Sequence, residues 1–177
     1  MNSDQELIRL INEGDTEAFE VLYQRYKDWV FRLAWRFTGN QQDTLDVLQE
    51  TFIYLLGKFP GFKLTASMTT FLYPVVKNIS LTIRSKSRRF TSGEEILSGI
   101  TVPTSNEINS SRSELAAVLT ILPDEQREVL LMRFVDDMSL QEIAAALNIP
   151  IGTVKSRLHH ALQKLRNDPR TKDYFLG

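Results

Sequence analysis

Apolar residues recur at three- and four-residue steps along most of the chain and almost nowhere at steps of two. From Glu17 to Phe37 they are Phe19, Leu22, Tyr23, Tyr26, Val30, Leu33, Ala34 and Phe37. That spacing turns one face of a long helix toward a core. Upstream, "SDQE" at Ser3–Glu6 has the pattern of a capping box. Gly14 stops the short helix it opens, and Asp15 caps the next. "TGNQQD" breaks the long helix. A third helix carries Leu45, Leu48, Phe52, Leu55, Leu56 and Phe59 as its stripe and ends before Pro60–Gly61. After a loop through Ser67, a fourth runs from Met68 to about Arg88. Pro74 lies inside it and removes a helix hydrogen bond, which predicts a kink.

Residues 91–111, "TSGEEILSGITVPTSNEINSS", lack periodicity and are rich in Ser, Thr, Gly and Asn. They predict a flexible linker. Helical spacing then resumes over 112–121, Pro123–Val135 with Pro in the first turn, Ser139–Leu147, and Ile151–Asn167. No strand pattern of any length occurs. The expected fold is all-α: a helical domain at 1–90, a flexible linker at 91–111, and a second small helical domain at 112–177.

Composition narrows the chemistry. The chain has 177 residues, 42% of them hydrophobic, which is enough for packed cores rather than global disorder. With no Cys, disulfides and thiolate metal sites are excluded, which suits a cytoplasmic location. The N-terminus "MNSDQELIRL" is acidic and amphipathic, so no signal peptide is expected. No apolar stretch approaches the roughly 20 residues of a membrane-spanning helix. The formal net charge of -1 hides a segregation. Residues 61–93 hold 6 basic and no acidic side chains, and residues 151–177 hold 6 basic and 2 acidic ones. Two basic zones among acidic ones predict two separate anionic contacts.

The second zone has a recognisable geometry. "SLQE" at Ser139–Glu142 is another capping box, and Ile143, Ala144 and Leu147 form a buried stripe. Asn148 tolerates a left-handed backbone, and Pro150 prevents the helix from continuing. Ile149, Val154, Leu158, Ala161 and Leu165 supply the facing stripe. This is a helix–turn–helix, whose second helix enters a DNA major groove. Gly152, Thr153, Lys155, Ser156, His159 and His160 face outward on it. Lysine donates to guanine, hydroxyls reach bases or phosphates, and the helix N-terminus favours phosphate.

"LPDEQREVLLMRFVDDMSLQEIAAALNIPIGTVKSRLHHALQKLR" closely resembles the C-terminal domain of extracytoplasmic-function (ECF) sigma factors of bacterial RNA polymerase. In the N-terminal half, "DVLQETF" at Asp46–Phe52 resembles the family's polymerase-binding helix. "TTFLYPVVKNISLTIRSKSRR" at Thr69–Arg89 resembles its promoter-melting helix. Both halves occur in the family's order, and together they cover nearly the whole chain.

The resemblance implies an alternative sigma factor that directs promoter-specific initiation. Its implied partners are core RNA polymerase, through the clamp helices and flap, promoter DNA, and an anti-sigma factor. Asp46, Gln49 and Glu50 match the polymerase contacts. Phe62, Lys63, Lys77, Asn78, Arg84 and Arg88 match the minus-ten element side, with Asn78 reading a base and the loop Phe62–Ser67 receiving an unstacked one. Tyr73 adds a candidate apolar surface for separated bases, while Phe71, the third ring of the set, is expected in the core rather than on a base. Arg133, Thr153, Lys155, Ser156, His159 and His160 match the minus-thirty-five side, with Arg133 on a phosphate. Arg157 lies nearer the apolar side and braces the fold. Four positions depart from the family pattern: Leu45 for an acid, Phe71 for Trp, Pro74 inside the melting helix, and His160 for Arg.

The alternative reading is a stand-alone helix–turn–helix regulator, which requires tight operator binding without polymerase. An enzyme is disfavoured. There is no Cys nucleophile and no phosphate-cradling Gly-rich loop. His159 and His160 lie about 100° apart around the helix, unlike the i, i+4 pair of a zinc helix. No cofactor or metal is expected.

Overall fold

The computed structural model describes residues 3–90 and 118–171, the side chains of 88–90 excepted. Among these residues the regular structure is entirely helical. The chain divides into two compact units, Met1–Thr101 and Val102–Gly177. The linker expected at 91–111 lies outside the described residues. So does most of the helix expected over 112–121, of which Val118 and Leu119 are described and helical.

In the first unit, α1 (Asp4–Asn12) lies on α2 (Thr16–Thr38), and α2 packs with α3 (Gln41–Leu56) and α4 (Met68–Phe90) as a three-helix bundle. Ser3 caps α1 by accepting from the Glu6 N–H at 3.2 Å, whereas the Glu6 carboxylate accepts from Arg9 at 3.0 Å. Asp15 caps α2 through the N–H groups of Glu17 and Ala18, and Gly39 ends it in the left-handed conformation at φ 74. Leu22, Val30, Leu33 and Ala34 of α2 are fully buried, against Val47 and Leu55 of α3 and Met68, Leu72 and Val76 of α4. Each of these Leu, Val and Met side chains contributes about 1.5–3 kcal/mol by leaving water, and the Ala34 methyl less.

The α3 stripe is rotated from the expected one. Thr44, Val47, Thr51, Phe52 and Leu55 are buried; Leu45 and Leu56 are exposed and Leu48 only half-buried. The cause is visible at Thr44. Its hydroxyl donates to the Asn40 carbonyl at 2.6 Å and meets the Thr38 hydroxyl at 2.7 Å, so a polar residue enters the core satisfied. Pro74 does not end α4, which continues sixteen residues beyond it to Phe90. Tyr73 is 1% exposed and meets Phe37 edge-on, so it is a core residue and not a surface for bases.

The second unit holds α5 (Asp124–Phe134), α6 (Leu140–Leu147) and α7 (Ile151–Asn167), with α7 packed on both others. Val118, Leu119, Leu122, Leu130, Ala161 and Leu165 form one buried cluster. Arg127 is only 7% exposed and anchors the chain entering α5. Its guanidinium donates to the carbonyls of Leu119 (2.8 Å), Thr120 (3.3 Å) and Leu122 (2.8 Å), and to Asp124 (3.1 Å). A buried cation with its donors matched in this way is tolerated where an unmatched one is not.

Candidate nucleic-acid interfaces

The helix–turn–helix forms as its residues dictate. Ser139 and Glu142 exchange both bonds of the capping box, at 3.2 and 2.8 Å. Asn148 ends α6 at φ 53, ψ 48, and the Ile149 N–H closes on the Ala144 carbonyl at 3.0 Å. Ile143 is buried, while Ala144 and Leu147 are half-buried. Pro150 is the residue before α7, and no side chain caps that helix. Its first backbone N–H groups therefore remain available to an anion. Gly152 is exposed, and a Cβ added there would meet nothing within 4 Å.

Val154, Ala161 and Leu165 hold α7 to the core. Lys155, Ser156, His159 and His160 are exposed on the other side, and Thr153 is half-buried. The two imidazoles meet edge-on, centroids 5.7 Å apart. Among the described residues no group of three or more His, Asp or Glu is arranged to hold a metal. Arg133 donates to the Met138 carbonyl at 3.1 Å and lies 3.8 Å from the Asp137 carboxylate, leaving it partly exposed beside α6. Arg157 pairs with Glu125 at 2.6 Å, tying α7 to α5 as a brace.

In the first unit, residues assigned to two different partners share one groove. Asp46, Gln49 and Glu50 form its α3 wall, and Asn78, Ile79, Thr82, Ile83 and Lys86 its α4 wall, around a volume of ≈ 500 Å³. Asn78 is exposed at the rim. The remaining cations differ in setting. Lys63 is exposed; Lys77 and Arg84 are half-buried, and Arg84 reaches the Phe37 carbonyl at 3.4 Å. The Arg88 side chain lies outside the described residues.

The loop around Phe62 is held by a residue that sequence reasoning missed. The Asn12 amide oxygen accepts from the N–H groups of Gly61 (2.6 Å) and Phe62 (3.1 Å), and its NH₂ donates to the Phe62 carbonyl at 2.9 Å. Gly61 sits at φ 102, a conformation that favours glycine. Asn12 is fifty residues away in sequence from Phe62 and occupies the last position of α1, so nothing local announces the contact. Tyr54 was also missed. It stacks on Phe71, which in turn meets Phe62, and its exposure makes it part of the surface.

Comparison with known proteins places these features in context. The model for Sigma-70 region 2 matches residues 22–90, and that for Sigma-70 region 4 matches residues 112–165. The chain is 30% identical to the ECF RNA polymerase sigma factor SigW of Bacillus subtilis, over 92% of this chain and 95% of that one. It is 28% identical to the ECF RNA polymerase sigma-E factor of Haemophilus influenzae, over 93% and 94%. Among solved structures, CnrH in complex with the cytosolic domain of CnrY superposes with a TM-score of 0.68 at 21% identity, covering 92% of this chain and 94% of that one. The sigma factor RpoE of Bartonella quintana, solved with the anti-sigma factor NepR, gives 0.66 at 18%, covering 85% and 96%. At these identities the two structures speak for the fold alone. No described helix is long and apolar enough to cross a membrane.

Proposed function

The chain belongs to the ECF sigma factors of the sigma-70 family, and on that premise we propose how its residues divide the work of promoter-specific initiation. The chain directs bacterial core RNA polymerase to promoters, and no catalysis by the chain itself is needed. The α3 wall of the groove, with Asp46, Gln49 and Glu50, meets the clamp helices of the polymerase. The exposed apolar residues Ile53 and Leu56 continue that helix face by three- and four-residue steps and extend the contact.

The α4 wall and the Phe62 loop meet the minus-ten element. Asn78 reads a base, Lys63 and Lys77 meet phosphates, and the Asn12-held loop receives an unstacked base. Arg84 extends that basic edge, and Arg88 is assigned to the same element by its place in the family's pattern. In the second unit, α7 enters the major groove at the minus-thirty-five element. Lys155, Ser156, His159 and His160 face the bases, Thr153 and the free N–H groups face a phosphate, and Arg133 meets a flanking phosphate. The flap contact and an anti-sigma partner belong to the same proposal, as the family implies. The functional domains are 1–90 and 112–177.

The observation that carries this reading is the coincidence of the two family regions with two units, each presenting its own polar or basic face. A stand-alone regulator leaves the match over 22–90 without a role. A gel-shift titration separates the two readings. Promoter DNA should be retained at nanomolar concentrations only when core polymerase is present. Tight retention by the chain alone would favour the regulator.

A further inference from the structure

The end of α3 and the loop after it carry a run of rings that the promoter contacts above use only in part. Phe59 and Phe62 meet edge-on with centroids 5.4 Å apart, Phe62 and Phe71 lie at 4.9 Å, and Phe71 stacks on Tyr54 at 6.4 Å with an interplanar angle of 23°. Phe59, Phe62 and Phe71 are half-buried, and the run reaches the surface at Tyr54, which is 43% exposed. Lys58 holds its ammonium 4.3 Å from the Tyr54 ring centroid, and Lys63 is exposed on the neighbouring loop.

Tyr54 is thus the exposed end of a ring cluster whose other members are half-buried behind it. The charge around it points to what it meets. From Thr51 to Gly93 the chain carries 7 basic and no acidic side chains. A ring beside a flexible ammonium suits single-stranded nucleic acid, because the base stacks on the ring and the phosphate takes the cation. The Tyr54 ring already has Phe71 behind it, so it meets a base as a fixed platform. Lys58 sits on a four-carbon stem and can leave the ring for a phosphate when a base arrives.

We infer that Tyr54 and Lys58 form a further contact to the separated DNA strand, with a base on the Tyr54 ring and a neighbouring phosphate on Lys58. This rests on the promoter-opening role proposed above. It gives the half-buried Phe71 a supporting function: it backs the platform.

The test uses the full chain with core polymerase on forked promoters whose minus-ten region is already single-stranded. Tyr54→Ala should shorten the lifetime of the complex by about tenfold, the loss of one base–ring stack. Tyr54→Phe should stay near the parent. Tyr54→Leu, apolar but without a ring face, should fall with Ala. Lys58→Ala should reduce the salt dependence by about one phosphate contact. A benzophenone side chain placed at position 54 of the otherwise unchanged protein should cross-link to the displaced strand. Parental lifetimes for both Ala and Leu variants, or cross-links confined to a polymerase subunit, would overturn the inference. A parental protein inactive on every template would instead overturn the promoter role on which it rests.

Discussion

Replacing Asn12 with Ala removes three hydrogen bonds at once and tests whether α1 holds the Phe62 loop. The bond from the Gly61 N–H is exposed, so water substitutes for much of it, while the two bonds with Phe62 are partly buried. At about 0.5–1.5 kcal/mol net for each buried bond, with a smaller share from the exposed one, the loss is about 1.5–3 kcal/mol. For a unit of about 100 residues, 1 kcal/mol moves Tm by about 4–8 °C, so the first unit should melt about 6–24 °C lower. Both tryptophans of the chain, Trp29 and Trp35, lie in α2, so their fluorescence follows this unit and not the second. Asn12→Asp keeps the acceptor but sets a carboxylate against the Phe62 carbonyl, and should fall between parent and Ala. Initiation from duplex promoters should drop with Asn12→Ala below the melting temperature, because the loop loses its placement before the bundle opens. A fluorescence melt shifted by less than about 2 °C would refute the reasoning.

Three further outcomes follow from the geometry. Arg127→Met leaves the carbonyls of Leu119, Thr120 and Leu122 without their buried donor and should destabilise the second unit by about 3 kcal/mol, read as a lowered circular-dichroism transition that tryptophan fluorescence does not report; an unmoved transition would show that water reaches those carbonyls. Gly152→Ala fills open space on an exposed helix and should stabilise that unit by up to about 1 kcal/mol, yet weaken initiation at promoters that need the upstream element, because the added methyl stands where backbone meets phosphate; unchanged initiation would remove the α7 N-terminus from the DNA. The Asp168 carboxyl is lowered from 3.8 to about 2, first by its side-chain hydrogen bonds with Arg170. Its depressed value means that the contact is fully present above about pH 4 and is lost as pH falls toward 2. A carboxyl midpoint near 4 by NMR titration would contradict the pairing.

Much of the fold could be read from residue order because its signals are local. Helical spacing located each described helix to within a few residues. The turn of the helix–turn–helix was legible because Ser139, Glu142, Asn148 and Pro150 each perform a backbone task that their chemistry announces. What escaped depended on distant partners. Thr44 and Thr51 look polar in sequence but are buried, while Leu45 and Leu56 look apolar but face outward. The Thr44 hydroxyl is satisfied by the Asn40 carbonyl one turn back, so that residue enters the core at little cost, which a reading by hydropathy does not show. Arg127 is buried because the carbonyls of Leu119, Thr120 and Leu122 surround its guanidinium, a contact that charge alone does not announce. Tyr73 reads as a candidate apolar surface for bases, yet it is in the core, and Tyr54 takes the surface place.

The candidate sites divide along the same line. The exposed residues of α7 follow from position around one helix, so sequence located them. The groove of the first unit needs two helices in contact. Asp46, Gln49 and Glu50 on one wall and Asn78 on the other appeared from sequence as separate sites, and only the packing of α3 on α4 brings them to one groove.

The most direct test of the central claim is transcription by purified core RNA polymerase from a pool of genomic fragments, with and without the chain, followed by sequencing of the RNA start sites. The account predicts a small set of start sites that appear only with the chain, share two spaced elements upstream, and disappear when Gln49 and Glu50 are both replaced by Lys. A pool transcribed identically with and without the chain would contradict it.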